Sequence, residues 1–219
     1  MELKGKRIAF LGDSITQGVG ASCPENVYWQ VFGRNTGAIV SGNGIGGTRY
    51  AKQPGVTEFT WGEKYFELRV DELDPDADVI VVLGGVNDFV HGNAPLGKMS
   101  DRDPTTFYGA VHSLCLKLLE RYPTSEIVLM TPLHCGNEEV YTNYHETHIR
   151  MVASLGGYAQ AIREVAEYYG LPVLDLFRTS GLNPEVPIIR EMYMPDGLHP
   201  NDAGYARMAK RLEGFLRTL

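Results

Sequence analysis

Cysteine is scarce in this chain. Cys23, Cys115 and Cys135 are the only three among 219 residues, widely separated and without a CxxC pair. That spacing excludes a disulfide framework and a zinc knuckle, and it fits buried thiols in a reducing, cytoplasmic setting. Runs of lysine and arginine are also missing, and the formal net charge is -7. A surface that holds nucleic acid or an anionic membrane neutralises phosphates with basic residues, so neither partner is expected. No apolar run approaches the length of a membrane span, and stable membrane association is not expected either. The N-terminal MELKGKRIAFLG has a basic flank. Its apolar stretch is too short for a signal sequence and leads into GDS rather than a small-residue cleavage site. No repeat, low-complexity tract or linker divides residues 1–219, and 43% hydrophobic residues suffice for one sizeable core, so a single domain is expected.

What the chain does contain is an alternation of short β-branched runs with longer stretches of helical period, the pattern of an α/β fold. The strand candidates are RIAFL (7–11), AIV (38–40), DVIVVLG (78–84), EIVLM (126–130) and PVLDL (172–176). Five such strands predict a mostly parallel sheet covered by helices on both faces. Residues 105–121 place Phe107, Val111, Leu114, Leu118 and Leu119 on one helical face, and residues 146–169 form a longer candidate weakened by Gly156 and Gly157. After Pro200, Asn201 or Asp202 can cap a last helix whose stripe is Tyr205, Met208, Ala209, Leu212, Phe215 and Leu216. Two long loops, 85–104 and 132–145, follow the carboxyl ends of predicted strands, the edge where open α/β sheets bind ligands.

Several motifs are decoys. GNGIGG (42–47) satisfies GxGxxG, but Pro54 interrupts any helix begun there and the preceding strand is the second, not the first. GNAPLGKM (92–99) imitates a P-loop until Met99 stands where a hydroxyl should bind magnesium. HETH (145–148) is one residue short of HExxH. His91, His112 and His134 lack partners at ligand spacing, and His112 reads as a structural histidine within a helix.

The stretch FLGDSITQG (10–18) puts Ser14 just after the first strand. Taken locally, such a serine caps the next helix, a contribution of about 1 kcal/mol. The tail MYMPDGLHPNDAGY (192–205) changes that reading, because Asp196 and His199 stand three apart on a turn before the last helix. A histidine held through one ring nitrogen by an aspartate can use the other to take a proton from a serine hydroxyl, a weak nucleophile on its own. In a flavodoxin-like strand order, 2-1-3-4-5, strands one and three are neighbours and a crevice opens at their carboxyl ends. Ser14 follows strand one, and Gly85, Val86, Asn87 and Asp88 follow strand three, so Asn87 is expected beside Ser14. The Asn87 amide, a backbone N–H of Gly47 and that of Ser14 are candidate donors to a developing oxyanion.

In these blocks the chain resembles the SGNH hydrolases, the GDSL-type lipase and esterase superfamily. Ser14 lies in GDSIT, Gly85, Asn87 and Asp88 in GVND, and Asp196 and His199 in DGLH. In the glycine loop Gly44, Gly46 and Gly47 compete, and the GIGG spacing favours Gly47. The resemblance implies a flavodoxin-like three-layer α/β/α sandwich with a five-stranded parallel sheet. It implies cleavage of carboxylic esters through an acyl-enzyme, without metal or organic cofactor. Ser14 would be the nucleophile, His199 base and acid, Asp196 its orienting group, and Ser14, Gly47 and Asn87 the oxyanion hole. GxSxG is absent, so the nucleophile elbow of ordinary α/β-hydrolases is not expected. The expected substrate is a small-molecule ester with a short acyl group, such as acetyl on a carbohydrate or other small alcohol. Asp13, Asp88, Tyr141 and Tyr144 are candidate substrate contacts, and Trp29, Trp61 and Tyr193 could add stacking surface. Acyl transfer, lysophospholipase or thioesterase activity are the alternatives within the enzyme class, and a catalytically silent carbohydrate-binding module the alternative outside it. Oligomeric state is not written in these motifs.

Overall fold

The computed structural model describes residues 1–53, 64–138 and 152–219. Its centre is a parallel five-stranded sheet in the order β2-β1-β3-β4-β5. The strands are β1 (Arg7–Gly12), β2 (Ile39–Gly44), β3 (Val79–Leu83), β4 (Glu126–Met130) and β5 (Val173–Leu174). The expected strand order and class are therefore what the chain adopts.

Strands β1 and β3 are covered on both faces, and successive side chains feed opposite cores. Ala9, Leu11, Ile80 and Val82 pack with Phe107, Val111, Leu114 and Leu118 of α4 (Phe107–Arg121) and Tyr158, Ile162 and Val165 of α5 (Leu155–Tyr169). Ile8, Phe10, Val79 and Val81 pack with Tyr28 and Phe32 of α2 (Tyr28–Thr36) and Tyr205, Met208 and Leu212 of α8 (Asp202–Leu216). Burying each such side chain contributes roughly 1.5–3 kcal/mol. The last helix begins as its sequence predicts, with the Asn201 side chain accepting the Gly204 N–H. Cys115 and Cys135 are buried, Cys23 is half-buried, and all three are unpaired.

Three elements depart from the sequence reading, the first through a contact distant in sequence and the other two through local caps and turns. First, β2 does not stop at Val40 but continues through Gly42–Gly44, pairing in register with β1 to Gly44↔Gly12. The ladder overrides the poor strand propensity of glycine, which is required here: a Cβ on Gly42 would meet the Trp29 ring at 2.6 Å, and one on Gly44 the Gln17 nitrogen at 2.1 Å. Second, β5 spans two residues because Asp175 caps α6 (Leu176–Thr179) by accepting the Arg178 N–H. Third, the loop after β3 opens with a helix, α3 (Val86–His91), entered through Gly85 at φ 106°.

Of the 146–169 candidate, residues 146–151 lie outside the described residues, and the described helix begins at Leu155, where the Ser154 side chain accepts the Gly157 N–H. Gly156 and Gly157 thus fall in the first turn rather than mid-helix. The remaining α-helices among the described residues are α1 (Ser14–Gln17) and α7 (Pro187–Tyr193). Among the described residues, no helix is long and apolar enough to cross a membrane.

Gly44 and Gly214 give opposite expectations for the same substitution. Gly44→Ala drives a methyl into the backbone of α1, within 2.1 Å of Gln17 N and 2.4 Å of the Thr16 carbonyl carbon, and should cost about 3 kcal/mol or more. A Cβ on Gly214 in α8 meets nothing within 4 Å, so Gly214→Ala should stabilise by about 0.5–1 kcal/mol. Urea midpoints at unchanged m-value measure both.

Candidate active site

The turn after β1 is built around Asp13, not Ser14. Asp13 is the N-cap of α1, its Oδ1 accepting the Ile15 N–H at 3.0 Å, and Ser14 is the first helical residue. The capping role that a serine at this place would ordinarily fill belongs to its neighbour. The Ser14 side chain is thereby released to face the crevice, and the residue keeps 8% exposure. Gly12 permits the turn, since a Cβ there would lie 2.1 Å from Thr16 Oγ1 and 2.9 Å from the Leu83 carbonyl.

The turn before α8 brings in the second half. Asp196 Oδ1 accepts the N–H groups of Leu198 at 2.8 Å and His199 at 2.7 Å, while Oδ2 lies 2.7 Å from His199 Nδ1. His199 Nε2 then reaches Ser14 Oγ at 2.9 Å across 185 positions of sequence. Partial burial alone would raise the Asp196 carboxyl, but the hydrogen bonds from the His199 backbone, the His199 ring and Leu198 outweigh it and hold the group below its ordinary value. An ionised Asp196 fixes the tautomer: Nδ1 carries the proton and donates, leaving Nε2 to accept from the serine hydroxyl. Gly197, at φ 80°, shapes this turn, and its carbonyl accepts the Gly136 N–H at 2.6 Å from the loop after β4.

On the other side of Ser14 stands the loop that leaves β2. A Cβ on Gly46 would lie 3.6 Å from Ser14 Cβ, so this backbone borders the hydroxyl directly. Ile45 N–H donates to the Gly12 carbonyl, Gly46 N–H to Gln17 Oε1 at 2.7 Å, and Thr48 N–H to the Ile45 carbonyl. Gly44 is taken into the sheet, which leaves Gly47 the residue of the loop whose N–H has no partner among the described residues. Its φ of 75° is a conformation that glycine adopts without strain. Asn87, at the start of α3, is buried and donates one amide hydrogen to the Thr48 carbonyl at 3.1 Å, its second hydrogen having no partner among the described residues. Arg69, also buried, reaches the Gly12 carbonyl at 2.8 Å and Asn43 Oδ1 at 3.0 Å, fastening the ends of β1 and β2 together.

Two expectations are corrected. Asp13 and Asp88 are not substrate contacts: both are buried, Asp13 capping α1 and Asp88 accepting the N–H groups of Tyr50 and Ala51 at 3.0 Å each. Trp29 and Tyr193 are likewise packing residues. Trp29 donates to the Thr16 carbonyl at 2.9 Å, and the Arg207 guanidinium lies 5.3 Å from the Tyr193 ring centre. Trp61, Tyr141, Tyr144 and the HETH segment lie outside the described residues. His112 is structural as expected, bonded to the Met99 carbonyl and the Tyr169 hydroxyl. Gln17 was not visible as a site residue, because no spacing in the sequence links it to Gly46.

Burial pushes the Asp13 carboxyl up to about 7, against the Ile15 N–H and the charge of Arg69, and it pushes Asp88 up to about 6. A carboxyl whose folded value is raised stabilises the fold fully below its unfolded value and loses that contribution as pH rises through the folded one. Stability should therefore fall between pH 4 and about 7 through Asp13. Asp13→Asn keeps an oxygen for Ile15 and removes the ionisation, so its stability relative to wild type should improve steadily across that window in urea titrations.

The GDSL-like Lipase/Acylhydrolase family model matches residues 10–207. A solved structure 35% identical to this chain superposes with a TM-score of 0.85, covering 100% of this chain and 99% of the other. A protein from Lactobacillus plantarum is 30% identical, with a TM-score of 0.82 over 99% and 98% of the two chains. A member of the lipolytic G-D-S-L family from Veillonella parvula shares 16% identity and, at a TM-score of 0.65 over 97% and 100%, the fold alone. No curated protein matches the sequence. The family match takes in the Ser14 turn, the glycine loop, Asn87 and the Asp196–His199 turn, and the chain belongs to the GDSL-like lipase/acylhydrolase family.

Proposed function

We propose that this chain is a single-domain serine esterase that cleaves small carboxylic esters through an acyl-enzyme. The observation that carries the reading is the relay of short contacts from Asp196 Oδ2 to His199 Nδ1, 2.7 Å, and from His199 Nε2 to Ser14 Oγ, 2.9 Å. Ser14 Oγ attacks the acyl carbonyl carbon as His199 Nε2 takes its proton, and Asp196 stabilises the imidazolium that forms. The oxyanion is met by the N–H groups of Ser14 and Gly47 and the second amide hydrogen of Asn87. Collapse breaks the ester bond, and His199 returns the proton to the departing alcohol. Water, activated by the same imidazole, then attacks the acyl-serine and releases the acid.

The acyl group in this reading is short, acetyl on a carbohydrate or other small alcohol. Activated esters of increasing acyl length, followed by acetylated sugars, test that preference directly: a kcat/KM that rises with chain length would replace it with a lipid or thioester substrate. A competing alcohol in the assay separates hydrolysis from acyl transfer by its product.

Ser14→Ala should lower kcat on a short activated ester by at least about ten-thousand-fold while the thermal midpoint stays near wild type. It should also abolish labelling by a fluorophosphonate, read by intact mass. Asn87→Ala should cost about a hundred- to a thousand-fold in kcat with the relay intact. Full activity in Ser14→Ala, or a folded wild type that neither turns over esters nor takes the label, would refute the assignment.

A further inference from the structure

Ser14 and His199 meet at 2.9 Å although 185 positions separate them, so their distance is set by whatever fastens the two segments together. Residues 18–22, which follow α1, run directly beneath the His199 turn. Gly18 ends α1 at φ 103°, and the Val19 carbonyl accepts the Tyr205 hydroxyl of α8 at 2.7 Å. Gly20 approaches so closely that a Cβ on it would lie 2.6 Å from the Pro200 carbonyl and 3.2 Å from His199 Cβ. Ser22 completes the strap: its N–H donates to Asp202 Oδ1 at 2.8 Å and its hydroxyl to Oδ2 at 2.6 Å. The Asn26 amide reaches the same Oδ2 at 2.9 Å and the Ser22 hydroxyl at 3.1 Å.

We propose that Asp202 is a positioning residue for the Ser14–His199 pair, acting by clasping the segment behind the nucleophile helix to the first turn of α8. The proposal rests on the esterase reading of the site. Asp202 touches no reacting atom. Its carboxylate gathers three donors from two residues of the N-terminal segment, three positions after His199, whereas capping of α8 is done by Asn201. The hydroxyl and backbone N–H of Ser22, and then the Asn26 amide, hold the Asp202 carboxyl below its ordinary value. The Tyr205 hydroxyl bonds the same segment one turn further along α8, so two independent straps press Gly20 against His199 Cβ. Slackening either one lets the imidazole drift from the hydroxyl, and rate is sensitive to such drift, since displacement of about 1 Å can cost a hundred-fold.

The test uses Asp202→Ala, Ser22→Ala and Tyr205→Phe in the full chain, assayed well below the thermal midpoint of each. Expected for Asp202→Ala is a kcat lowered about ten- to a hundred-fold with KM within two-fold of wild type, and a proportionate slowing of fluorophosphonate labelling. Ser22→Ala and Tyr205→Phe should show smaller losses of the same kind. The proton on His199 Nδ1, followed by NMR, reports the ring's setting whether or not any ester is turned over, and its resonance should move in all three variants. An inactive wild type whose His199 resonance still moves in Asp202→Ala would sink the esterase reading and leave the clasp standing. Lowered thermal midpoints with kcat, KM and the His199 resonance unchanged would overturn the clasp, as would a loss confined to KM.

Discussion

Helix α1 lies so close to the carboxyl ends of β1 and β2 that no side chain fits between them. Gly12 and Gly44 face each other in the ladder, and a methyl on either would strike Thr16 or Gln17. That contact of backbone on backbone sets the position of Ser14, because the first residue of α1 cannot move without moving the sheet ends. It also brings the loop that leaves β2 to the hydroxyl, since Gly44 is the last residue of β2 and Gly46 the neighbour of Ser14. Arg69 secures the arrangement from below through the Gly12 carbonyl and Asn43.

The same region holds an unusual density of buried charge. Asp13, Asp88, Arg49 and Arg69 are all buried, and Asp13 Oδ2, Arg69 Nε, and Arg49 Nε and Nη1 have no hydrogen-bond partner among the described residues. Such atoms cost stability, on the order of 1–3 kcal/mol for each unsatisfied group. Burial pulls the values of Asp13 and Asp88 upward and that of Arg69 downward to about 10, so each group resists its charged form. What the fold gains is stiffness: the carboxyls cap α1 and pin the backbone of Tyr50 and Ala51, directly behind the proposed oxyanion donors. A site that works by preorganised donors benefits from walls that do not relax.

Much of this was legible in the chain. The alternation of strands and helices, Ser14 after β1, Asn87 after β3 and the DGLH turn follow from patterns within a few residues of each other, and the strand order follows from the family resemblance that those motifs carry. The glycine loop was legible as a loop, but the choice of Gly47 becomes physical only when Ile45, Gly46 and Thr48 are found already bonded. What could not be read depends on contacts between distant segments. The extension of β2 through Gly42–Gly44 needs the ladder with β1, and the burial of Asp13 and Asp88 needs Arg69, Tyr50 and Ala51 around them. An aspartate beside a serine looks like a polar loop residue until the sheet closes over it. Gln17 and Asp202 are similar cases, polar residues with no periodic signature whose partners lie 29 and 180 positions away.

The place of β2 at the margin of the sheet gives the crevice two unequal walls. Ser14 grows from β1, which is gripped by a strand on each side, while the loop carrying Gly47 grows from β2, which among the described residues pairs with β1 alone. Displacement of the first wall strains two ladders, and displacement of the second strains one. The crevice therefore has one side anchored by two ladders and one anchored by a single ladder, and on that second side the seating of Gly44 on α1 and the Arg69 bonds to Gly12 and Asn43 do the work of the missing strand.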